Sequence, residues 1–276
     1  MLKKVALIGI AIVGIIALFQ LPKSLVQTKN REVAVKQDTS AGSEASLKAL
    51  MKASHNQQPT SSETEQVLNW TKAYNEVVDK EKKRIFADSI ANYYGRFHQY
   101  DSVFRYRERA AILSPATDRW VKAGDAAMQA ADFVADQDKV SYLEKARSMY
   151  DKALTTAPNN PNIRTKKALT YVATDNPMTG IKMLQDVVKE YPENEEALYN
   201  LGYLSIQSGQ FQKALGRLEK LTEVNPEHAA GTFYLGYCYS QLNNKEKALE
   251  YWNRAKKLDL DPEFQEIIDS YIKEIK

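Results

Sequence analysis

Three histidines, one cysteine and a basic triplet are the residues whose chemistry could go beyond packing, and their spacing argues against catalysis. His55, His98 and His228 are far apart, and none has a spacing that would set two ligands on one helix face, so no metal centre is expected. Cys238 is the only cysteine: no intrachain disulfide can form, and no cysteine cluster can hold zinc or iron. It is expected as a small buried residue rather than a reactive thiol. No Gly-rich phosphate loop and no elbow-type serine occurs. The expectation is a chain with no catalytic residue and no cofactor. The densest basic cluster, Lys82-Lys83-Arg84, directly follows Glu81 and reads as a solvated helix surface. With a formal net charge of only +3 there is no case for nucleic acid, which would need Lys and Arg concentrated on one face.

The elements that carry these residues follow from a repeat. Leu201-Gly202, Ala214, Leu218, Leu221 and Pro226 recur about 34 residues later as Leu235-Gly236, Ala248, Trp252 and Ala255, and Pro226 is preceded at the same interval by Pro192 and Pro158. Such a period holds two short amphipathic helices, neither of which can bury its apolar stripe alone; stacking the next pair completes the core. The small residues at the eighth and twentieth offsets are expected where the two helix axes approach closely. The large residue at the twenty-fourth is expected to fill the gap between neighbouring pairs. The proline ends the second helix, because it cannot donate the next backbone hydrogen bond.

On these residues the chain resembles tetratricopeptide-repeat proteins, and the resemblance implies an all-α fold: a right-handed superhelical solenoid of helix pairs. Five periods run through 84–117, 118–160, 161–194, 195–228 and 229–262. Arg107 stands at the twenty-fourth offset of the first, where a large apolar residue is usual, Lys167 replaces the usual Leu in the third, and Leu260 takes the place of the proline in the fifth. About ten extra residues near 131–140 interrupt the second period. They are expected to lengthen the helices or to loop out, either as a tolerated insertion at a surface turn or as a partner contact. Ser62-Glu63-Thr64-Glu65 resembles a capping box, and Val67, Trp70, Tyr74, Val77 and Val78 lie at helical spacing, so 61–83 is expected as an N-terminal capping helix. Phe264, Ile267, Ile268, Tyr271, Ile272 and Ile275 predict a capping helix over 263–276.

Family resemblance also implies a ligand groove lined by the first helix of each repeat. In the fourth period the groove offsets fall on Glu196, Tyr199, Tyr203, Ile206 and Gln207, and in the fifth on Ala230, Phe233, Tyr237, Ser240 and Gln241. Tyr199, Tyr203, Gln207, Phe233, Tyr237 and Gln241 are therefore the expected partner-binding residues. Tyrosine and phenylalanine supply large contact area at low rotamer cost. A second reading has the four rings pack against each other between adjacent first helices. The carboxylate clamp of chaperone-binding members is not matched: Asn92 has a counterpart, but Asp88 replaces a lysine and would repel a carboxylate.

Ahead of the repeats, Met1-Leu2-Lys3-Lys4 precedes an uncharged run from Val5 to Leu21, at the short limit for spanning a bilayer. With no convincing cleavage spacing, residues 1–21 read first as an uncleaved signal anchor and second as a cleaved signal peptide. The short basic tail places the repeats outside the cytoplasm, in a periplasm if the source is Gram-negative; Lys23, Lys29 and Arg31 on the other flank keep the reverse topology open. Residues 22–60, rich in Ser, Thr, Gln, Ala and Lys, bury too little surface to offset chain entropy and read as a flexible tether. At 43% hydrophobic and 26% charged over its 276 residues, the chain has, the apolar run set aside, the composition of an ordinary globular protein.

The expected function is that of a membrane-tethered adaptor or scaffold, holding a protein or peptide partner in the groove within an envelope-assembly, export or chaperone complex. The alternative is a self-associating structural protein whose aromatic surface is a homodimer interface.

Overall fold

The computed structural model describes residues 58–174, 177–259 and 261–275. The apolar run 5–21, the tether as far as residue 57, His55 and Leu260 lie outside the described residues. Among those described there are twelve helices and no strand, and none of the helices is long and apolar enough to cross a membrane. They divide into two compact units, 58–197 and 198–275.

The first unit holds α1 (Ser61–Glu76), α2 (Lys80–Arg96), α3 (Tyr100–Leu113), α4 (Thr117–Ala131), α5 (Asp136–Thr156), α6 (Pro161–Val172) and α7 (Met178–Glu190), each packed on the next. Thr60 opens α1 through a capping box with Glu63: the Glu63 amide donates to Thr60 Oγ1 at 3.2 Å, and the Thr60 amide to Glu63 Oε2 at 2.9 Å. The box thus begins two residues before Ser62. Pro59, just ahead, supplies no amide for an earlier turn. The helix stops at Glu76, Val77 is extended, and Val78 is exposed, so the apolar stripe ends at Tyr74. Val67, Trp70 and Tyr74 pack on Ile90, Ala91, Tyr106 and Ala110 of α2 and α3. Asp79 then caps α2 by accepting from the Lys82 amide at 2.8 Å, so that the helix begins at Lys80, four residues ahead of Arg84.

The extra residues of the second period lengthen its helices. α4 has 15 residues and α5 has 21, against 13 and 14 in the pair at 195–224, joined by the turn 132–135. Leu143, Ala146, Tyr150 and Ala153 of α5 are buried with Ala123, Ala127 and Ala130 of α4, so the lengthened pair closes on a core of small alanines.

The second unit begins within α8 (Glu195–Gln207) and continues through α9 (Phe211–Val224), α10 (Ala229–Gln241), α11 (Lys245–Leu258) and α12 (Pro262–Ile275). Asn194 starts α8, accepting from the Ala197 amide at 2.9 Å. Asp261 starts α12, accepting from the amides of Glu263 and Phe264 at 2.9 and 3.1 Å.

Three of the pairs, α4–α5, α8–α9 and α10–α11, are locked by a small residue under a large one. A Cβ added at Gly202 would lie 2.8 Å from Leu218, and one at Gly236 would lie 2.5 Å from the Trp252 ring. Gly124 is covered in the same way by Tyr150. The large residue at the twenty-fourth offset thus seats on the eighth-offset residue of its own pair, whereas the repeat pattern had suggested a gap between pairs. The reason is steric: a glycine leaves a hollow on the first helix, and a large side chain across the closest approach of the two axes fills it.

Candidate functional site

Tyr199, Tyr203 and Gln207 stand four residues apart on α8, which puts them on one face. The two tyrosine rings are stacked, with centroids 6.5 Å apart and planes 11° from parallel, and both are half-buried. Gln207 at the end of the row is exposed. Tyr234 of α10 backs both rings, at 6.1 and 5.4 Å, and His228 lies 5.2 Å from Tyr199. Burial, with a smaller contribution from Tyr203, pushes the Tyr199 hydroxyl up to about 12; burial raises that of Tyr234 as well. Both hydroxyls are therefore neutral near pH 7 and able to donate a hydrogen bond.

His228 has a structural task. It is the N-cap of α10, its Nδ1 accepting from the Gly231 amide at 2.9 Å. His98 Nδ1 lies 2.7 Å from the Tyr100 hydroxyl. Among the described residues no group of three His, Cys, Asp or Glu side chains is placed to hold a metal ion.

The two aromatic groove positions of α10 are covered. Phe233 is only 2% exposed and meets Phe264 and Tyr271 of α12 edge-on, at 5.7 and 5.4 Å. Tyr237 is 8% exposed, between Phe211 at 6.2 Å and Tyr271 at 5.9 Å. Trp252 of α11 donates from Nε1 to the Phe233 carbonyl at 3.1 Å. α12 lies over the last first-helix much as another repeat would, and its Phe264, Ile268 and Ile272 are buried in doing so. The six expected residues are thereby separated: Tyr199 and Tyr203 are half-buried and Gln207 and Gln241 exposed, while Phe233 and Tyr237 belong to the core. Tyr234, which backs the α8 rings, falls at the sixth offset and was not among them. Its only sequence signal was an aromatic next to Phe233.

Cys238 is fully buried, and burial pushes its thiol up to about 12. In an unfolded chain the thiol ionises near 8.5. Between those two values the unfolded state gives up the proton first, so this group's contribution to stability is complete below about pH 8.5 and declines as pH rises toward 12. Urea unfolding is expected to show a lower midpoint at pH 10 than at pH 7.5, with the difference reduced in Cys238→Ala. A thiol-specific disulfide reagent at pH 8 should modify the folded chain only at the rate of unfolding; immediate stoichiometric labelling would refute the assignment.

A second polar cluster lies in the first unit. Asp125 Oδ1 accepts from the Tyr150 hydroxyl at 2.8 Å and from Lys166 Nζ at 2.9 Å. Burial raises the Glu196 carboxyl, against the attraction of Lys166 and with the repulsion of Asp125. These contacts tie α4, α5 and α6 together, and this carboxylate is engaged by two donors.

Comparison with known proteins bears on the repeats. Two family models described as tetratricopeptide repeat match residues 176–230 and 205–263. A stretch of 93 residues, 34% of this chain, is 34% identical to anaphase-promoting complex subunit 3 of Dictyostelium discoideum, of which it covers 9%. Another of 61 residues, 22% of this chain, is 38% identical to the CTR9 homolog of Arabidopsis thaliana, of which it covers 6%. The chain thus spans under a tenth of the length of these relatives. Similar solved structures include MamA of Desulfovibrio magneticus RS-1, at 19% identity and a TM-score of 0.47, covering 65% of this chain and 97% of that one. YrrB, a TPR protein with an unusual peptide-binding site, is 22% identical with a TM-score of 0.41, covering 71% of this chain and 94% of that one. With the helix pairs and the small-under-large contacts described above, the matched stretch from residue 176 to residue 263 consists of tetratricopeptide repeats.

Proposed function

We propose that the chain is a tethered protein-interaction module, and that it holds a segment of a partner protein in its concave groove, against the row of Tyr199, Tyr203 and Gln207 on α8. The observation that carries this reading is the row itself: two stacked, half-buried tyrosines at one helical spacing, continued by exposed Gln207. Their ring faces offer apolar area already fixed in place by Tyr234 and His228, so little side-chain entropy is lost when a partner covers them. The hydroxyls and the amide supply the polar contacts that orient an extended peptide. Gln241, exposed at the end of α10, adds a further amide in the same unit. Phe233 and Tyr237 act behind this surface by holding α10 in place. Residues 5–21 tether the module to a membrane, with the repeats on the periplasmic or other extracytoplasmic side, a placement that rests on the uncharged run behind a short basic tail.

Photocrosslinking in native membranes, from a photoreactive residue at Tyr203 with an outward control at Lys220, tests the reading. A heterologous protein captured at Tyr203 and not at Lys220 is expected, and Tyr203→Ala should lower its affinity by about 1–3 kcal/mol while leaving the unfolding midpoint nearly unchanged. Capture of only another copy of the chain would replace the adaptor by a homodimer, and loss of folding in Tyr203→Ala would return the ring to the core.

A further inference from the structure

A cavity of about 100 Å³ lies in the first unit, lined by residues of α2, α3 and α4, among them Arg84, Arg107, Arg119 and Lys122. It lies where the repeat pattern breaks. At the twenty-fourth offset, where the other pairs set Tyr150, Leu218 or Trp252 over a small residue, the first period has Arg107. A guanidinium cannot be left in an apolar gap without partners, and here it turns to polar ones. Arg107 donates from Nη1 to Asp88 Oδ1 at 2.6 Å and from Nη2 to Asn92 Oδ1 at 2.5 Å. Arg84 donates from Nη1 to Asp88 Oδ2 at 2.6 Å and is held from behind by Glu81, with Nε at 2.8 Å. Both arginine side chains are about four-fifths buried.

The charges at the cavity wall do not balance. Four cations meet three carboxylates, Asp88 and Asp118 at the wall and Glu81 behind Arg84 and within the field of Arg119, which leaves one positive charge in excess. Both oxygens of Asp88 are taken by Arg84 and Arg107, and Asp118 lies 3.6 Å from Lys122 at the exposed rim. Arg119 donates from Nη1 alone, to the carbonyl and the hydroxyl of Ser114 at 2.9 and 3.1 Å. Both are neutral acceptors, so its Nε and Nη2 remain for a ligand. Arg119 and Asp118 stand in the first turn of α4, a helix of 15 residues whose N-cap, Ala116, offers no side-chain hydrogen bond. The positive end of that helix adds to the same field.

We infer that this cavity is a binding site for a phosphoryl group. The excess positive charge and the positive end of α4 favour an anion, and a phosphomonoester, with three terminal oxygens and close to two negative charges at neutral pH, can take Arg119, Lys122 and the first amides of α4 together, where a carboxylate offers two oxygens and one charge. Planar guanidinium groups bind phosphate oxygens in pairs, which makes arginine the residue suited to such a wall. The site lies in a different unit from the tyrosine row and does not depend on it.

Equilibrium dialysis of the full chain with labelled inorganic phosphate in low-salt buffer tests the inference, with phosphoserine, a phosphoserine-containing peptide and acetate as competitors. Saturable binding is expected, displaced by phosphoserine and at least tenfold more weakly by acetate. Displacement by the peptide at lower concentration than by phosphoserine would assign the source to a phosphorylated partner, and equal potency to a free phosphate compound. Arg119→Gln should weaken binding about tenfold or more, since a hydrogen bond to a charged group is lost. Lys122→Gln, at an exposed side chain unable to upset folding, should weaken it by a few fold. Absence of saturable binding in the unmodified chain, equal displacement by acetate, or unchanged affinity in both variants would overturn the site.

Discussion

Trp252→Ala is expected to lower the unfolding free energy by about 3–5 kcal/mol, the largest effect of any single substitution in the 198–275 unit. The indole is fully buried, lies on Gly236 so closely that an added Cβ would be 2.5 Å from its ring, and meets Tyr271 of α12 at 5.5 Å. Its removal leaves a cavity among α10, α11 and α12 and takes away the donor to the Phe233 carbonyl. Gly236→Ala attacks the same contact from the other side. The methyl group displaces the ring and breaks that hydrogen bond, at a cost of about 1–3 kcal/mol. Chemical denaturation followed by circular dichroism gives both values, and amide exchange should show α12 released first in Trp252→Ala. A loss below about 1 kcal/mol would mean that the indole is not the keystone of this pair.

Gly180→Ala is the second substitution expected to be severe, and it separates close packing from helix propensity. Gly180 sits at the twentieth offset of its period, and a Cβ there would lie 2.5 Å from the Ala168 carbonyl oxygen and 2.6 Å from the Val172 amide nitrogen. Those are backbone atoms of α6 and cannot turn aside as a side chain could, so α6 and α7 must move apart. A loss of about 2–3 kcal/mol is expected although alanine is the better helix former. Gly216, inside α9, has nothing within 4 Å of the same construction. Gly216→Ala is therefore expected to stabilise by about 0.5–1 kcal/mol, through propensity alone. Equal effects of the two substitutions, measured by the same denaturation, would show that packing at Gly180 is looser than described.

Much of this architecture was legible in the chain because it depends on local spacing. Pro226, Leu201-Gly202 and their counterparts mark where helices end and where two axes come close, and each mark acts through atoms only a turn or two away. The extra residues after Ala131 appeared as a change of spacing for the same reason. Offsets also placed Tyr199, Tyr203, Phe233 and Tyr237 on one side of their helices, since a position in the period defines a face.

What no offset could define is what lies over that face. Tyr199 and Tyr203 keep part of their rings at the surface, while Phe233 and Tyr237, at equivalent positions one period later, are closed off by Phe264 and Tyr271 of a helix that belongs to no repeat. Arg107 likewise stood out in sequence only as a departure from an apolar position. Its meaning comes from Asp88 and Asn92 on another helix and from Arg119 beyond the next turn, which only the folded chain brings to one cavity. Periodicity is a property of one helix and its nearest neighbours. Exposure and charge balance are sums over every element that comes to lie within contact distance, and the tertiary structure alone decides them.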